Sequence, residues 1–285
     1  MRTTRTAANS STAKAPVICA LHRVGKTATG GFTLLELTAV VAIISVLVSL
    51  LCAALNQTRD RALRISCLDN MKQLNLAWQM YSDENEGALP LNQTASGPIH
   101  HRIPLLSSSS NSWVAGNPLF DTNHANIRRG KLFPYVRSVA TYRCPMDDAR
   151  VDDHPELLRT RSYSMNAFLG GDSAMNPAMN VADVRRPSST FVFIEEHQSS
   201  RWGSSFMVIS ALKPVVGGGS SLASWVSTPA DRHDQGCNLT FADGHIEYWR
   251  WYTPKTERES MLSSTSGNRH RDVRDLGRLQ AVVGQ

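Results

Sequence analysis

Toward the C-terminal end, nine residues separate His233 from Asp243, and Gly244 follows at once. Asp147, Asp148, Asp234 and Asp243 are hard oxygen donors of the kind calcium takes, but calcium needs about six to eight oxygens and these acids lack the regular spacing of a calcium loop. A zinc site has less support. His245 and Glu247 share a strand face and Glu195, Glu196 and His197 are consecutive, yet no Cys-x2-Cys or His-Glu-x2-His spacing occurs. A plainer role suits the same residues better, with Asp243 forming a turn and His233 bracing it. The reading therefore assigns no metal and no cofactor, with calcium as the alternative. No Gly-x-Ser-x-Gly, dinucleotide fingerprint or Cys and His in catalytic context is present, and the triple glycine inside Val215 to Ser221 lacks the lysine of a phosphate loop. The chain reads as non-enzymatic. Trp249 and Trp251 on one face of the last strand leave a sugar-binding platform as an alternative use of the head.

Those residues need elements to hold them. Asp243-Gly244 lies between two alternating runs and predicts a tight hairpin with a two-residue type I′ turn, Leu239 and Phe241 on one side of its first strand and Ile246 and Tyr248 on one side of its second. Thr190 to Ile194 predicts a buried strand and Asn126 to Val136 a short helix. The Pro, Ser, Asn and Gly between Leu89 and Pro118 read mostly as loop. Val273, Leu276, Leu279 and Val282 recur every three residues, the pattern of a short amphipathic helix or of a frayed tail.

The N-terminal third has a different character. Residues 32 to 55 are 24 nearly uninterrupted apolar positions, about 36 Å of helix against a hydrocarbon core of about 30 Å. Thr33, Thr38, Ser45 and Ser49 are tolerable because a helical hydroxyl can bond the carbonyl one turn back. Glu36 is the expensive residue, since an acid in hydrocarbon costs about 2.5 to 3.5 kcal/mol and is functional by default. Residues 1 to 31 carry five basic residues and no acid, which predicts an N-terminus inside and an exported remainder. Removing those five leaves 25 basic against 24 acidic residues, so the formal net charge of +6 belongs mostly to the leader and a nucleic-acid footprint loses its main support. Past Asn56, Leu63, Cys67, Met71, Leu74, Trp78 and Tyr81 fall on one helical stripe, so the helix continues as an amphipathic segment to about residue 86, with Gly87 and Pro90 as stop signals.

The string Gly30-Gly31-Phe32-Thr33-Leu34-Leu35-Glu36 resembles the processing motif of the bacterial prepilin family. The resemblance implies a leader at 1–31, cleavage by a prepilin peptidase between Gly31 and Phe32, N-methylation of Phe32, and a Glu36 that meets the Phe32 amine of a neighbouring subunit in a filament. His233, Asp243 and Gly244 match the His-x9-Asp-Gly element at the C-terminal end of a large group of prepilin-type proteins, abundant in planctomycetes and related bacteria. Residues 67 to 78 with Tyr81, Cys144-Pro145 and Tyr163 to Asn166 are similar to that group as well.

The expected fold is α+β and pilin-like, a long N-terminal helix, membrane-spanning over 32–55 and amphipathic over 56–86, packed on the antiparallel sheet of a head at 87–253, with a polar tail at 254–285. The expected function is a structural subunit of a type II secretion or type IV pilus-like assembly in the inner membrane, its head in the periplasm or outside the cell. Its partners would be the prepilin peptidase and other pilin-like subunits, not nucleic acid. The alternative is an exported binding or enzymatic domain that uses the signal only for delivery. In an oxidising compartment Cys67, Cys144 and Cys237 would give one disulfide and one free thiol, with Cys67 and Cys144 the preferred pair because Cys67 lies on the helix face meeting the head.

Overall fold

The computed structural model describes residues 31, 33–100, 103–171, 177–198, 203–208, 227–255 and 269–284. Phe32, the rest of the leader and the 215–221 segment lie outside the described residues. The chain divides into two units, Met1–Ala53 and Ala54–Gln285.

Helix α1 runs Leu34–Glu84 without a glycine or proline to break it. Its start is chemically defined. Thr33 N–H donates to Glu36 Oε2 at 2.9 Å, while Glu36 N–H donates to Thr33 Oγ1 at 3.3 Å. This reciprocal pair is a capping box, which satisfies two of the backbone donors that a helix start leaves without partners. In the first unit the apolar side chains from Leu34 onward are exposed, and the helix is long and apolar enough to cross a membrane. Its hydroxyls behave as expected: Thr38 Oγ1 donates to Leu35 O at 3.0 Å, Ser45 Oγ to Val41 O at 2.7 Å and Ser49 Oγ to Val46 O at 2.7 Å.

In the second unit Cys67, Met71, Leu74 and Trp78 are buried, as their spacing predicts, with Asn75, Ala77 and Ser82 added to the buried face. The helix stops where Glu86 and Gly87 take positive φ and Gly87 N–H turns back to Ser82 O at 2.8 Å.

Strands β1 (Thr94–His100) and β2 (Ile103–Ser108) pair antiparallel, so the stretch expected to be loop contains a hairpin. The expected helix at 126–136 is two pieces, α2 (Ala125–Arg129) and α3 (Phe133–Val136), separated at Gly130, which lies too close to the Trp113 carbonyl to carry a side chain. After β3 (Arg150–Val151) and β4 (His154–Leu158), another two-stranded pair, comes the main sheet. It contains β5 (Tyr163–Asn166), β6 (Phe191–Glu195), β7 (Ser205–Phe206), β8 (Gly236–Phe241) and β9 (Ile246–Arg250) in the order β7-β5-β6-β8-β9. Every pairing is antiparallel except β5 with β7.

The sheet is covered on both faces, and β8 is buried at every position. Cys67, Met71, Leu74 and Trp78 of α1 share one core with Tyr163, Met165, Val192 and Phe193. The other core joins Phe191, Ile194, Cys237, Leu239, Phe241, Trp249 and Trp251 to Leu276 and Leu279 of α4 (Arg269–Gln280). The tail pattern thus forms a docked helix. Its Asp275 is buried and accepts from Lys255 Nζ at 2.9 Å. Trp249 and Trp251 lie inside this second core, ring centroids 6.1 Å apart, which removes the exposed platform a sugar would stack on.

The β8–β9 hairpin is present, but its turn is not type I′. Phe241 N–H donates to His245 O at 3.0 Å and Gly244 N–H to Phe241 O at 2.9 Å, and of Asp243 and Gly244 only the glycine has positive φ. The result is a three-residue connection, a type I turn followed by a left-handed glycine.

Candidate functional site

Four side chains from four parts of the second unit converge in its interior: Cys67 from the middle of α1, Cys144 from the turn after Ala140–Tyr142, Glu195 from the last position of β6, and His233 just before β8. All are buried, and their donor atoms lie within 4.8 Å of one another. His233 Nε2 stands 3.0 Å from Glu195 Oε2 and 3.4 Å from Cys144 Sγ.

Each member is held from behind. Asn238 donates to Glu195 Oε1 from both its backbone N–H and its side-chain amide at 3.0 Å, which orients Glu195 Oε2 toward the cluster. Cys67 Sγ contacts the Tyr163 hydroxyl at 3.3 Å and receives the Asn238 amide at 3.7 Å. Cys144 N–H donates to Ser162 Oγ at 3.0 Å, and Ser162 in turn donates to Asp147 Oδ2. Asp147 accepts from Arg159 Nε at 2.5 Å and faces Arg232 Nη1 at 3.7 Å. The other end of the Arg232 guanidinium is 3.8 Å from Glu195 Oε2. Arg232 thus bridges the two buried carboxylates and offsets their charge.

The electrostatics follow from this packing. The hydrogen bond from Cys67 holds the Cys144 thiol down at about 6 against the effect of burial, with His233 assisting. Burial, with the neighbouring Cys144, pushes the Cys67 thiol well up. Burial alone would lower His233, but its contacts with Cys144 and Glu195 raise it to about 9. Burial opposes ionisation of Glu195, and His233 and Arg232 outweigh it, leaving the carboxyl below its ordinary range.

A cysteine, a histidine and a carboxylate in contact invite comparison with a nucleophilic triad, in which the carboxylate orients one ring nitrogen and the nucleophile meets the other. Here Cys144 and Glu195 both meet Nε2, while Nδ1 is buried without a hydrogen-bond partner. That geometry does not relay a proton from the thiol to the acid. It is a convergence of donors on one point.

The residues read from the sequence fare differently. His233 enters the cluster, but Asp243 does not: its exposed carboxylate binds His245 at 2.5 Å, beyond the far end of β8. A six-residue strand at about 3.3 Å per residue keeps the two ends of the His-x9-Asp-Gly element about 20 Å apart. Asp147, Asp148, Asp234 and Asp243 do not converge. Among the described residues the Cys67, Cys144, Glu195 and His233 group is the metal-competent cluster. Cys67 and Cys144 do come together, as free thiols rather than as the expected disulfide. Gly31 is exposed, with open space where a side chain would stand. Glu195 and Arg232 were missed as a pair. The available signal was an acid closing the buried run Phe191-Val192-Phe193-Ile194.

No family model, curated protein or solved structure matches the chain. The geometry of the molecule itself therefore carries the functional argument.

Proposed function

We propose that this chain is a pilin-like, membrane-anchored structural subunit, processed by a prepilin peptidase between Gly31 and Phe32 and delivered across the inner membrane with its N-terminus inside. The observation that carries the reading is Glu36, the lone acid of the apolar stretch 32–55, set five residues beyond Gly31 at the start of a helix able to span a bilayer. The +5 leader supports the orientation. The α+β second unit, with the amphipathic part of α1 packed on a sheet, supports an exported head. Assembly would use the α1 segment through a pairing of Glu36 with the freed Phe32 amine of a neighbour, because a buried charge needs a partner.

A second reading has its own observation. The capping box gives Glu36 a local role that requires no filament, which suits an exported domain anchored by a prepilin-type signal. Two measurements separate these readings. N-terminal sequencing of the mature protein is expected to begin at Phe32, and any other start rejects the processing assignment. Filament imaging is expected to show polymer for wild type and for Thr33→Val, which breaks only the cap, and none for Glu36→Ala. Wild type that is processed at Phe32 but forms no polymer favours the anchored domain, and polymer formed by Glu36→Ala at the wild-type level rejects the pairing of Glu36 with a neighbour's amine.

A further inference from the structure

We infer that Cys67, Cys144, His233 and Glu195 form a structural zinc site, a four-coordinate centre of two thiolates, one imidazole and one carboxylate that ties α1 to the sheet. The inference rests on the interior geometry of the second unit and does not depend on the proposed export or assembly.

Three observations converge on it. The donor set is the first, since paired cysteines with histidine and a carboxylate are zinc ligands and the burial of all four suits a structural rather than a catalytic ion. Spacing is the second. Ligands about 2.0 to 2.3 Å from a tetrahedral ion stand about 3.3 to 3.8 Å from each other. The His233 to Cys144 separation of 3.4 Å falls inside that range and the His233 to Glu195 separation of 3.0 Å lies just under it, while the four donor atoms together, within 4.8 Å of one another, would tighten around the ion.

Aim is the third observation. Glu195 Oε2 is buried and makes no hydrogen bond, although His233 Nε2 is only 3.0 Å away. A buried carboxylate oxygen without a hydrogen bond calls for a further partner, and an ion held between it and His233 Nε2 would supply one. The shell around Glu195 and Cys67 fits the same account, whereas His233 Nδ1 is buried without a hydrogen-bond partner. Asn238 occupies Glu195 Oε1 and leaves Oε2 for one-oxygen ligation, and the Asn238 amide and Tyr163 hydroxyl lie against Cys67 Sγ. Such partners orient ligands and tune them. Charge balances too. Two thiolates and a carboxylate exceed a divalent ion by one negative charge, which the adjacent Arg232 guanidinium offsets.

The competing use of these cysteines is a Cys67–Cys144 disulfide, and it excludes zinc because an oxidised pair supplies no thiolate. The test uses the full processed chain, purified in detergent without chelator. Wild type is expected to carry one zinc per chain by elemental analysis. After exchange to cobalt(II) it should show thiolate charge-transfer absorption and the intense visible bands of a four-coordinate ion. His233→Gln and Cys67→Ser should fall to background metal, and Cys52→Ser, whose cysteine lies outside the cluster, should keep the full complement. Asn238→Ala should bind zinc about tenfold to a hundredfold more weakly. Wild type that holds no metal, with thiols free or joined as Cys67–Cys144 in peptide mapping, overturns the assignment. Full zinc occupancy in His233→Gln overturns it as well. Where a variant does not fold, the wild-type metal content and cobalt spectrum decide.

Discussion

Asp147 is a single carboxylate that faces two guanidinium groups, one from Arg159, which is 2% exposed, and one from Arg232, which is 12% exposed. Removing one member of such a group strands the others, at about 3–5 kcal/mol. Asp147→Asn is therefore expected to lower the unfolding free energy of the second unit by an amount in that range, read from denaturant unfolding curves of the full chain. Burial alone would push the Asp147 carboxyl up, but Arg159, Arg232 and the Ser162 hydroxyl outweigh it and hold the group below its ordinary range. Its contribution to stability is present above the unfolded carboxyl's pKa and is lost as pH falls through the lowered folded value. Melting temperatures at stepped acidic pH should show that loss in wild type, and Asp147→Asn should flatten it. Glu36 was legible from its cost in hydrocarbon. Its capping bond to Thr33 is written in the sequence as a Thr-x-x-Glu spacing at a helix start.

At the scale of elements, the amphipathic stripe of α1 is where pattern and structure agree best, because a side chain every three or four residues must meet whatever the helix packs on. Trp78 is 1% exposed within the core and Leu76, two residues earlier, is 48% exposed. Trp78→Ala is expected to cost about 3–5 kcal/mol by cavity formation. Leu76→Ala should stay within about 0.5 kcal/mol, as surface changes do, and chemical denaturation of both variants measures the contrast. The β8–β9 turn makes a separate prediction. Gly244 has φ of 97°, and a Cβ there would stand 3.0 Å from Gln79 Nε2. Gly244→Ala should cost about 1–2 kcal/mol from the left-handed backbone alone, visible as a lower melting temperature. The turn type was misread because Asp-Gly is compatible with both connections, and the pairing of Phe241 with His245 selects the longer one. The β1–β2 hairpin escaped notice for another reason: a strand rich in Ser, Pro and Gly is defined by its partner, not by alternation.

At the scale of the whole molecule, the division into an apolar N-terminal unit and a packed α+β unit follows composition. Placing a cation at the centre of the apolar stretch should oppose insertion by about 2.5–3.5 kcal/mol. Ile44→Arg is expected to move the protein out of the carbonate-resistant membrane fraction, and retention equal to wild type would argue against a spanning role for that stretch. The expected fold class, α+β with a long helix against an antiparallel sheet, corresponds to the architecture observed except that β5 and β7 pair in parallel. Docking of α4 on the sheet also makes the tail part of the core, so its Leu276 and Leu279 are as buried as strand residues.

The sequence by itself determined the features that repeat locally. Those are the apolar run and its acid, the leader charge, the helical stripe, the buried strand expected at 190–194 and found at 191–195, and the existence of the final hairpin. Each is written in periodicity or composition over a window of a few turns or one strand. The interior cluster was decided only by tertiary structure. Cys67, Cys144, Glu195 and His233 share no short spacing; the sequence pairs Cys67 with Cys144, but it groups Glu195 with Glu196 and His197, and His233 with Asp243. Chain folding pairs them differently, because β8 carries Asp243 away from His233 while β6, packed between β5 and β8, brings Glu195 to it. A donor set assembled across four elements leaves no periodic trace, so its chemistry becomes visible only when the sheet and helix are in place.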